Sequence, residues 1–434
     1  HLARLSRIRR CAITSALLSA LVLVPAVVVA QAPSTTHFQV LHAFNGGNGA
    51  LATSGVILDS KGNMYGTTVI GGDLDCSDNP GSGCGLVYEL SPTGEEKILH
   101  KFKGQDGFAP VWVGDLARDS QGSLYGVTWE GGNNSCACGN IFKIDTTGHE
   151  TTLHSFTGTN NGDGARPYGG VILDGNGNLY GTTFNGGDNS CNPGYGCGTV
   201  FRFDLKTSKE KILYSFGGSS EDGQNPYGSL VEDAAGNLYG TTSNGPGSGC
   251  GGGGCGTVFM VDKKNHETVL YAFTGVDGDG ATPLPALVLD KKGNLYGDTS
   301  YGGNNSDSGI VFKLTKTSKT WQETILHTFS GSDGAQPDGA VVFDTAGNLY
   351  GTTVAGGSFG YGTVYKLTPK GNRWAVTVLH NFKDGKDGAV PFTGGGLAID
   401  STGSLYGTAA YGGDLKCQIS GQDPGCGVVF KITQ

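Results

Sequence analysis

The chain has 434 residues, of which only 15% are charged, and its formal net charge is −9. An acidic protein of this kind is a poor partner for nucleic acid or for anionic membrane surfaces, so neither class of ligand is expected. Glycine is abundant, with 78 residues. It recurs at fixed positions along the chain, which indicates turns in an ordered fold rather than disorder.

The first thirty residues differ from the rest of the chain and resemble a secretory signal peptide. Four arginines open this segment, an apolar stretch runs from about Cys11 to Ala30, and the small residues from Val28 onwards suit cleavage. An uncleaved membrane anchor is the alternative, because the apolar stretch is just long enough to span a bilayer. Cleavage would remove residues 1–30 and take the net charge from −9 to −13. The mature chain is then expected to be a secreted or periplasmic monomer without membrane contact.

One short phrase, typically GNLYGTT, occurs seven times, and its tyrosines lie 54 to 60 residues apart. These residues are Tyr65, Tyr125, Tyr180, Tyr239, Tyr296, Tyr350 and Tyr406. A period of this length with strand-like patterning is typical of radial or stacked repeat proteins. A residue present in every copy is therefore interpreted as architectural, the tyrosine as packing between neighbouring units. Function is sought where one copy differs from the others.

Each repeat predicts four short β-strands, as the third copy shows. Apolar runs at 170–174, 179–183, 198–203 and 211–216 are separated by turn residues, and four such strands make one propeller blade. No segment has sustained helical periodicity. The sequence therefore predicts an all-β fold, a single seven-bladed β-propeller of four-stranded blades over residues 31–434.

The two ends of the predicted propeller are complementary. Residues 37–44 match the fourth strand of a repeat, whereas residues 427–432 match the third strand. The N-terminal strand is therefore predicted to complete the last blade. Such closure of the ring removes a free sheet edge that would otherwise invite aggregation.

The seven units resemble the GloVer-type repeat of exported bacterial choice-of-anchor proteins. The resemblance covers about residues 37–434 and depends on the segments D-x-x-G-N-L-Y-G-T-T, G-T-V-F-K-L and L-H-S-F. The run GGVILDGNGNLYGTT is also similar to the first two strands of NHL-type propeller repeats. Both resemblances imply a propeller, and neither implies a reaction or any catalytic residue.

Ten cysteines follow Cys11 and form five close pairs, each between an LYGTT phrase and the next apolar run. The pairs are Cys76/Cys84, Cys136/Cys138, Cys191/Cys197, Cys250/Cys255 and Cys417/Cys426. An even count with local pairing in an exported chain predicts short-range disulfides. Zinc is the alternative, but it needs about four converging ligands, and the pairs belong to separate repeats. The bridge between Cys136 and Cys138 stays open, because a disulfide across one residue is strained.

Two further polar positions recur. The L-H-x-F position of the fourth strand holds histidine in five repeats and tyrosine in two, which indicates a half-exposed structural position rather than a proton shuttle. The Asp-Gly pairs in the loops between repeats are typical of turns. Calcium is the alternative, because the segments 160–163 and 277–280 are rich in oxygen ligands, although they lack the closing glutamate of an EF-hand. No other cofactor is expected.

The loops after LYGTT and the Asp-Gly loops are predicted to share one face of the propeller, here called the loop face. Residues on this face that depart from the repeat carry the functional information. Trp129 and Glu130 are such departures in the second repeat, and Asp298 replaces a threonine or valine in the fifth. Arg166 follows an Asp-Gly pair in the third repeat. Aromatic residues of the same loops are Tyr195, Tyr301, Tyr361 and Tyr411.

Two functions fit these departures. The tryptophan, the tyrosines and Arg166 suit stacking on sugar rings and hydrogen bonds to hydroxyls, which predicts a secreted binding or scaffold module for a polysaccharide or another extracellular polymer. The alternative is a glycoside hydrolase with Glu130 and Asp298 as its carboxylates, since two suitably spaced carboxylates hydrolyse a glycosidic bond. Drift in unconstrained loops would also produce such residues. Binding is the leading hypothesis, because no acid–base pair is evident and these loops lack histidine.

Overall fold

The structure is a computed structural model that describes residues 36–132, 136–246, 249–304, 306–392, 394–418 and 425–434. The expected signal peptide, residues 1–30, lies outside the described residues. Residues 36–434 form one compact unit, and its regular structure is almost entirely β-strand.

Seven antiparallel sheets form the blades, and each contains four strands in chain order from the centre outwards, apart from the closing blade. The strands are Ile57–Leu58, Met64–Thr68, Leu86–Leu90 and Glu96–Lys101 in blade one; Ala117–Arg118, Leu124–Glu130, Asn140–Ile144 and Glu150–Ser155 in blade two; Ile172–Leu173, Asn178–Thr183, Thr199–Asp204 and Lys209–Ser215 in blade three; Val231–Glu232, Leu238–Asn244, Thr257–Val261 and Glu267–Ala272 in blade four; Val288–Leu289, Leu295–Thr299, Ile310–Lys316 and Trp321–Thr328 in blade five; Val342–Phe343, Leu349–Thr353, Thr363–Lys370 and Arg373–Asn381 in blade six; Ala398–Ile399, Leu405–Ala409, Val428–Thr433 and His37–Ala43 in blade seven. The predicted all-β, seven-bladed propeller is confirmed.

A few short elements lie in the loops. Phe108–Pro110 and Gln224–Pro226 pair with the second strands of blades two and four. Gly164–Ala165 pairs with Asn185–Gly186, and Gly280–Ala281 pairs with Tyr301–Gly302. The described 3₁₀ segments are Gly158–Asn161 and Cys250–Gly252.

The first strand of each blade lies nearest the axis of the ring. Asp115, two residues before the first strand of blade two, lies against Gly55 of blade one, Gly170 of blade three and Gly395 of blade seven. Only segments that surround a common centre can meet in this way. The small residues are required there, because an added Cβ at Gly395 would overlap the Asp115 carboxylate.

The N-terminal strand closes the ring as predicted. His37–Ala43 pairs antiparallel with Val428–Thr433, the third strand of blade seven. Its Phe38 also reaches the neighbouring blade six, where the ring stacks on His380 with 3.7 Å between centroids. The strand therefore contributes both backbone pairing and inter-blade packing.

An aspartate organises the hairpin between the first and second strands of every blade. In blade four, one carboxylate oxygen of Asp233 accepts hydrogen bonds from the backbone N–H groups of Ala235 and Asn237, both at 2.9 Å. The other oxygen accepts from the Asn237 side chain at 2.8 Å and from the Tyr239 hydroxyl at 3.0 Å. Burial opposes ionisation, but the hydrogen bonds from Asn237 and Tyr239 outweigh it and lower the pKa of Asp233.

The same hydroxyl–carboxylate contact occurs in all seven blades, with oxygen–oxygen distances from 2.9 to 3.4 Å. Each tyrosine ring packs against the following blade. Tyr239, 6% exposed, belongs to a cluster with Leu287, Leu295 and Phe312 of blade five. The interpretation of the repeated tyrosine as inter-blade packing is confirmed. The hydrogen bond to the aspartate shows that the tyrosine hydroxyl also has a structural role.

We expect deletion of residues 31–46 to lower the melting temperature by several degrees and to cause aggregation. The deletion removes the fourth strand of blade seven and exposes the edge of Val428–Thr433. Differential scanning fluorimetry and size-exclusion chromatography measure the two effects. Deletion of residues 31–35 alone is the control, and an unchanged melting temperature for the longer deletion would contradict closure by this strand.

We expect Asp233→Ala to lower the free energy of unfolding by about 2–3 kcal/mol, because it removes four hydrogen bonds, three of them partly buried. Tyr239→Phe removes one hydrogen bond and keeps the ring, so its cost should be about 1 kcal/mol. Urea denaturation followed by tryptophan fluorescence measures both values. Equal effects of the two substitutions would show that the carboxylate has no role beyond the tyrosine.

Candidate functional site

The loops between repeats and the cysteine loops lie on one face, as predicted. Gly164–Ala165, from the loop that enters blade three, pairs with Asn185–Gly186 at the start of that blade's cysteine loop. Gly217, in the next inter-blade loop, lies against the disulfide between Cys191 and Cys197. The loop face is therefore a continuous surface built from both kinds of loop.

Five disulfides stabilise the loop face. They join Cys76 to Cys84, Cys136 to Cys138, Cys191 to Cys197, Cys250 to Cys255, and Cys417 to Cys426. Each bridge closes the loop between the second and third strands of its own blade. The predicted local pairing is confirmed, including the pair that the sequence left open. A paired cysteine offers no thiolate to a metal, which removes the zinc alternative for these residues.

Trp129, Glu130 and Arg166 form one cluster between blades two and three. The guanidinium Nη2 of Arg166 lies 3.1 Å from Oε1 of Glu130, and its central carbon lies 5.6 Å from the centre of the Trp129 ring. Arg166 is 39% exposed and Glu130 26% exposed. The cluster therefore combines a cation, an acceptor and an aromatic ring at a solvent-accessible position.

The backbone holds Arg166 in place. Its N–H donates to the carbonyl of Cys138 at 2.8 Å, and its carbonyl accepts from the N–H of Phe184 at 3.1 Å. These contacts connect the disulfide loop of blade two with the second strand of blade three. The guanidinium is thus presented from a fixed backbone rather than from a free loop.

An aromatic ridge continues from this cluster towards blade four. Trp129 contacts Trp112 and Tyr168, with ring centroids 5.3 and 5.8 Å apart. Tyr168 in turn stacks on Tyr227 at 4.7 Å. The sequence prediction missed Tyr168 and Tyr227. The sequence did contain a signal for these two residues. Each tyrosine directly follows a proline, and the residue after the equivalent proline is not aromatic in blades five and six, where it is Leu284 or Asp338.

A cleft of about 250 Å³ opens beside Arg166. Its wall includes Tyr195, which is 59% exposed, together with the side chains of Asn185 and Asn189. Thr157, Thr159 and the disulfide of Cys136 and Cys138 complete the lining. The cleft offers amide, hydroxyl and guanidinium groups around one aromatic ring. Such a lining suits a polar, ring-shaped ligand.

Two other clefts, of about 510 and 700 Å³, lie at the opposite ends of the blades. Their linings include hairpin aspartates such as Asp174, Asp233, Asp290 and Asp344. Because every blade has this aspartate, the two clefts are grooves between repeated hairpins. They do not compete with the loop face as a functional site.

The other predicted aromatic residues lie on separate blades. Tyr301 is 41% exposed in the loop of blade five, and Tyr361 is 38% exposed in that of blade six. Tyr411 is half-buried in blade seven, where its backbone pairs with Ala389. These three tyrosines lie on the loop face but apart from one another. Among the predicted residues, Trp129, Glu130, Arg166 and Tyr195 lie closest together.

Asp298 lies inside the propeller, where only 2% of the residue is exposed. Neither carboxylate oxygen has a hydrogen-bond partner among the described residues. Burial, with the nearby Asp338, raises the pKa of Asp298 well above its ordinary value. Asp338 belongs to blade six and accepts a hydrogen bond from Ser300. Glu130 and Asp298 therefore lie at different interfaces, between blades two and three and between blades five and six.

The position of Asp298 explains its burial. In blades three and four the equivalent residues are Thr182 and Thr241, whose hydroxyls donate to carbonyls of the following blade, each at 3.3 Å. Asp298 therefore occupies a buried position that holds a threonine in blades three and four.

The recurring histidines contact the Asp-Gly loops. Nε2 of His100 lies 2.9 Å from Oδ2 of Asp106, whose other carboxylate oxygen accepts from the N–H of Lys103 at 2.7 Å. Tyr214 replaces the histidine in blade three and donates to Asp222 at 3.0 Å. The predicted half-exposed position and the turn role of the Asp-Gly pairs are confirmed. The sequence did not reveal that the histidine or tyrosine of the fourth strand contacts the Asp-Gly loop and holds it in place.

A third residue, from the fourth strand of the next blade, completes an interface group at each blade boundary. The groups are His42, Asn48 and Glu96; His100, Asp106 and Glu150; His154, Asp163 and Glu210; Tyr214, Asp222 and Glu267; Tyr271, Asp279 and Glu323; His327, Asp333 and Val376; His380, Asp387 and Phe38. Burial, with a neighbouring aspartate, raises the pKa of Glu210, Glu267 and Glu323 to about 7.

The chain belongs to the Gloeobacter/Verrucomicrobia repeat family, whose model matches residues 26–192, 114–338 and 306–434. No curated protein matches the sequence.

Several solved structures are similar at low identity. PorZ, a surface component of the type-IX secretion system of Porphyromonas gingivalis, is 14% identical over 88% of this chain and 46% of its own, with a TM-score of 0.49. A protein assigned as a gluconolactonase is 11% identical over 92% of both chains, with a TM-score of 0.42. TolB from Acinetobacter baumannii is 15% identical over 68% of this chain and 59% of its own, with a TM-score of 0.39. Similarity at this level says nothing about the ligand.

The disulfides also bear on the compartment. Five bridges in one chain are typical of a protein that folds in an oxidising environment outside the cytoplasm. Within the described ranges, no helix is long and apolar enough to cross a membrane.

We expect Glu267→Gln to stabilise the protein above pH 7 and to have little effect at pH 4. The pKa of Glu267 is about 7 in the folded protein against an ordinary value of 4.5, so folding takes up a proton between these values. The free energy of unfolding therefore falls as the pH rises through this interval. Since the side chain is only partly buried, the gain at pH 8 should be on the order of 1 kcal/mol.

Urea denaturation at pH 4, 5, 6, 7 and 8 measures this difference. Glu221→Gln, the same change at an exposed glutamate of the loop between blades three and four, is the control. A stability difference between Glu267→Gln and the native protein that does not vary with pH would contradict the prediction.

Proposed function

We propose that the protein is an exported binding module whose loop face, between blades two and three, binds an extracellular polysaccharide. The supporting observation is the cluster of Trp129, Glu130 and Arg166 beside the cleft that contains Tyr195. Aromatic rings bind the apolar faces of sugar rings, while charged and amide groups bind hydroxyls.

The order of the groups supports a binding role. Arg166 lines the cleft together with the exposed Tyr195, and its guanidinium carbon lies 5.6 Å from the centre of the Trp129 ring. Its contact with Glu130 restrains the guanidinium before a ligand arrives. Binding to such a preorganised site costs less conformational entropy than ordering a free side chain.

Hydrolysis by Glu130 and Asp298 has weaker support. A glycoside hydrolase places its two carboxyl groups about 5 to 10 Å apart on either side of the bond. Glu130 pairs with Arg166, whereas Asp298 is 2% exposed and next to Asp338 at another interface. A polymer that reaches the first residue has no access to the second in this arrangement.

The compartment and assembly belong to the same proposal. Removal of residues 1–30 would release the propeller as a secreted or periplasmic monomer. The five disulfides support export, because they are stable only in an oxidising compartment.

Affinity electrophoresis in gels that contain single polysaccharides tests the proposal, together with an assay for released reducing ends. We expect at least one polysaccharide to retard the native protein without release of reducing ends. Tyr195→Ala and Arg166→Gln should each weaken the retardation, because they remove the exposed ring and the cation of the cleft.

Val276→Ser is the matched control, because Val276 is 60% exposed in the loop between blades four and five, away from the cleft. Retardation that neither cleft variant changes would exclude this cleft as the site. Release of reducing ends that Glu130→Gln abolishes would favour the hydrolase instead. Absence of retardation and release across the panel would contradict a polysaccharide ligand.

A further inference from the structure

Two neighbouring interface groups have the side chains of a transition-metal site. His154, Asp163 and Glu210 meet between blades two and three, and an equivalent group meets between blades one and two. In each group, one ligand atom from each residue lies within 4.8 Å of the other two. We propose that both groups bind a divalent transition metal of the zinc class through one imidazole nitrogen and two carboxylate oxygens. This site is independent of the polysaccharide cleft.

The group between blades two and three has an unused ligand atom. Nε2 of His154 lies 3.3 Å from Oδ2 of Asp163. The Oε1 atom of Glu210 is buried and has no hydrogen-bond partner among the described residues. A buried acceptor without a partner is costly, and a cation would satisfy it. Metal binding would replace the proton shared between the histidine and the aspartate.

The group between blades one and two has the same composition and is also partly exposed. Nε2 of His100 lies 2.9 Å from Oδ2 of Asp106, and the two side chains are 19% and 23% exposed. Glu150 supplies the third ligand from the fourth strand of blade two. The exposure leaves room for water as a fourth ligand, the arrangement that zinc adopts with three protein ligands.

The distances require a small rearrangement. Zinc bonds of about 2.0–2.1 Å place neighbouring tetrahedral ligand atoms roughly 3.4 Å apart. His154 and Asp163, at 3.3 Å, already meet this distance, whereas His100 and Asp106, at 2.9 Å, must separate by about 0.5 Å. Each glutamate ligand atom lies within 4.8 Å of the pair and must therefore move by at most about 1.4 Å, which a rotation of its flexible side chain accomplishes.

The other interfaces explain why the site is confined to these two. Tyrosine replaces the histidine at Tyr214 and Tyr271, and an asparagine replaces the aspartate at Asn48. Val376 and Phe38 occupy the strand position of the glutamate at the last two interfaces. These groups keep the structural hydrogen bonds but lack one ligand each. They serve as internal controls within the same chain.

Anomalous diffraction at the zinc absorption edge tests the proposal on crystals of the native protein soaked in Zn²⁺. We expect peaks at His100 and His154 and none at His327 or His380, whose groups lack the glutamate. Isothermal titration of the metal-free protein with Zn²⁺ should give a stoichiometry of two. Peaks only at other residues, or no binding heat, would overturn the proposal.

Variants of the glutamates test whether the heat of zinc binding comes from these two groups. Glu150→Val combined with Glu210→Val copies the natural interface of Val376 and should abolish the zinc binding of both sites. Glu267→Val makes the same change at a tyrosine interface and should leave the titration unchanged. Circular dichroism confirms folding of each variant, and an unchanged titration of the double variant would refute the assignment. If the double variant fails to fold, the diffraction peaks of the native protein decide the question.

Discussion

The hydrogen bond from each LYG tyrosine to the aspartate of its own hairpin is the interaction on which the rest of the propeller depends. The carboxylate of Asp59, for example, accepts from two backbone N–H groups, from Asn63 and from Tyr65. It therefore fixes the hairpin and the tyrosine together. Because the ring packs against the next blade, a local turn determines where its neighbour docks. Repetition of this contact in every blade makes the ring regular.

A second repeated contact governs the opposite ends of the blades. The histidine or tyrosine of each fourth strand interacts with the aspartate or asparagine of the adjoining loop. In blade four, Tyr271 also donates to Glu323 of blade five. Histidine and tyrosine interchange here because both place a polar atom at the end of a ring. The glutamate from the next blade varies more, since Val376 and Phe38 replace it without loss of the loop contact. Every boundary thus keeps an aspartate or an asparagine at the loop position, whereas the glutamate is available for another use.

Much of the fold could be predicted from the sequence, because the phrases occur at a constant spacing and each disulfide is local. Asp298 shows where the prediction was incomplete. It was assigned to the loop face because it lies close to the loop, but it is two residues after Tyr296 and so faces the same side of its strand. That side packs against the next blade, which explains its burial. The interface groups and the Tyr168–Tyr227 contact join residues of different repeats, and no pattern within one repeat specifies such pairs.

The candidate site differs from random variation in one respect. Glu130 and Arg166 depart from the repeat in different blades, yet they form an ion pair with each other. No other repeat has a charged residue at either position, so the scaffold requires neither of them. Each departure supplies the partner of the other, because the carboxylate of Glu130 pairs with the guanidinium of Arg166, which in turn lies over Trp129. The two residues therefore act as one unit at this interface.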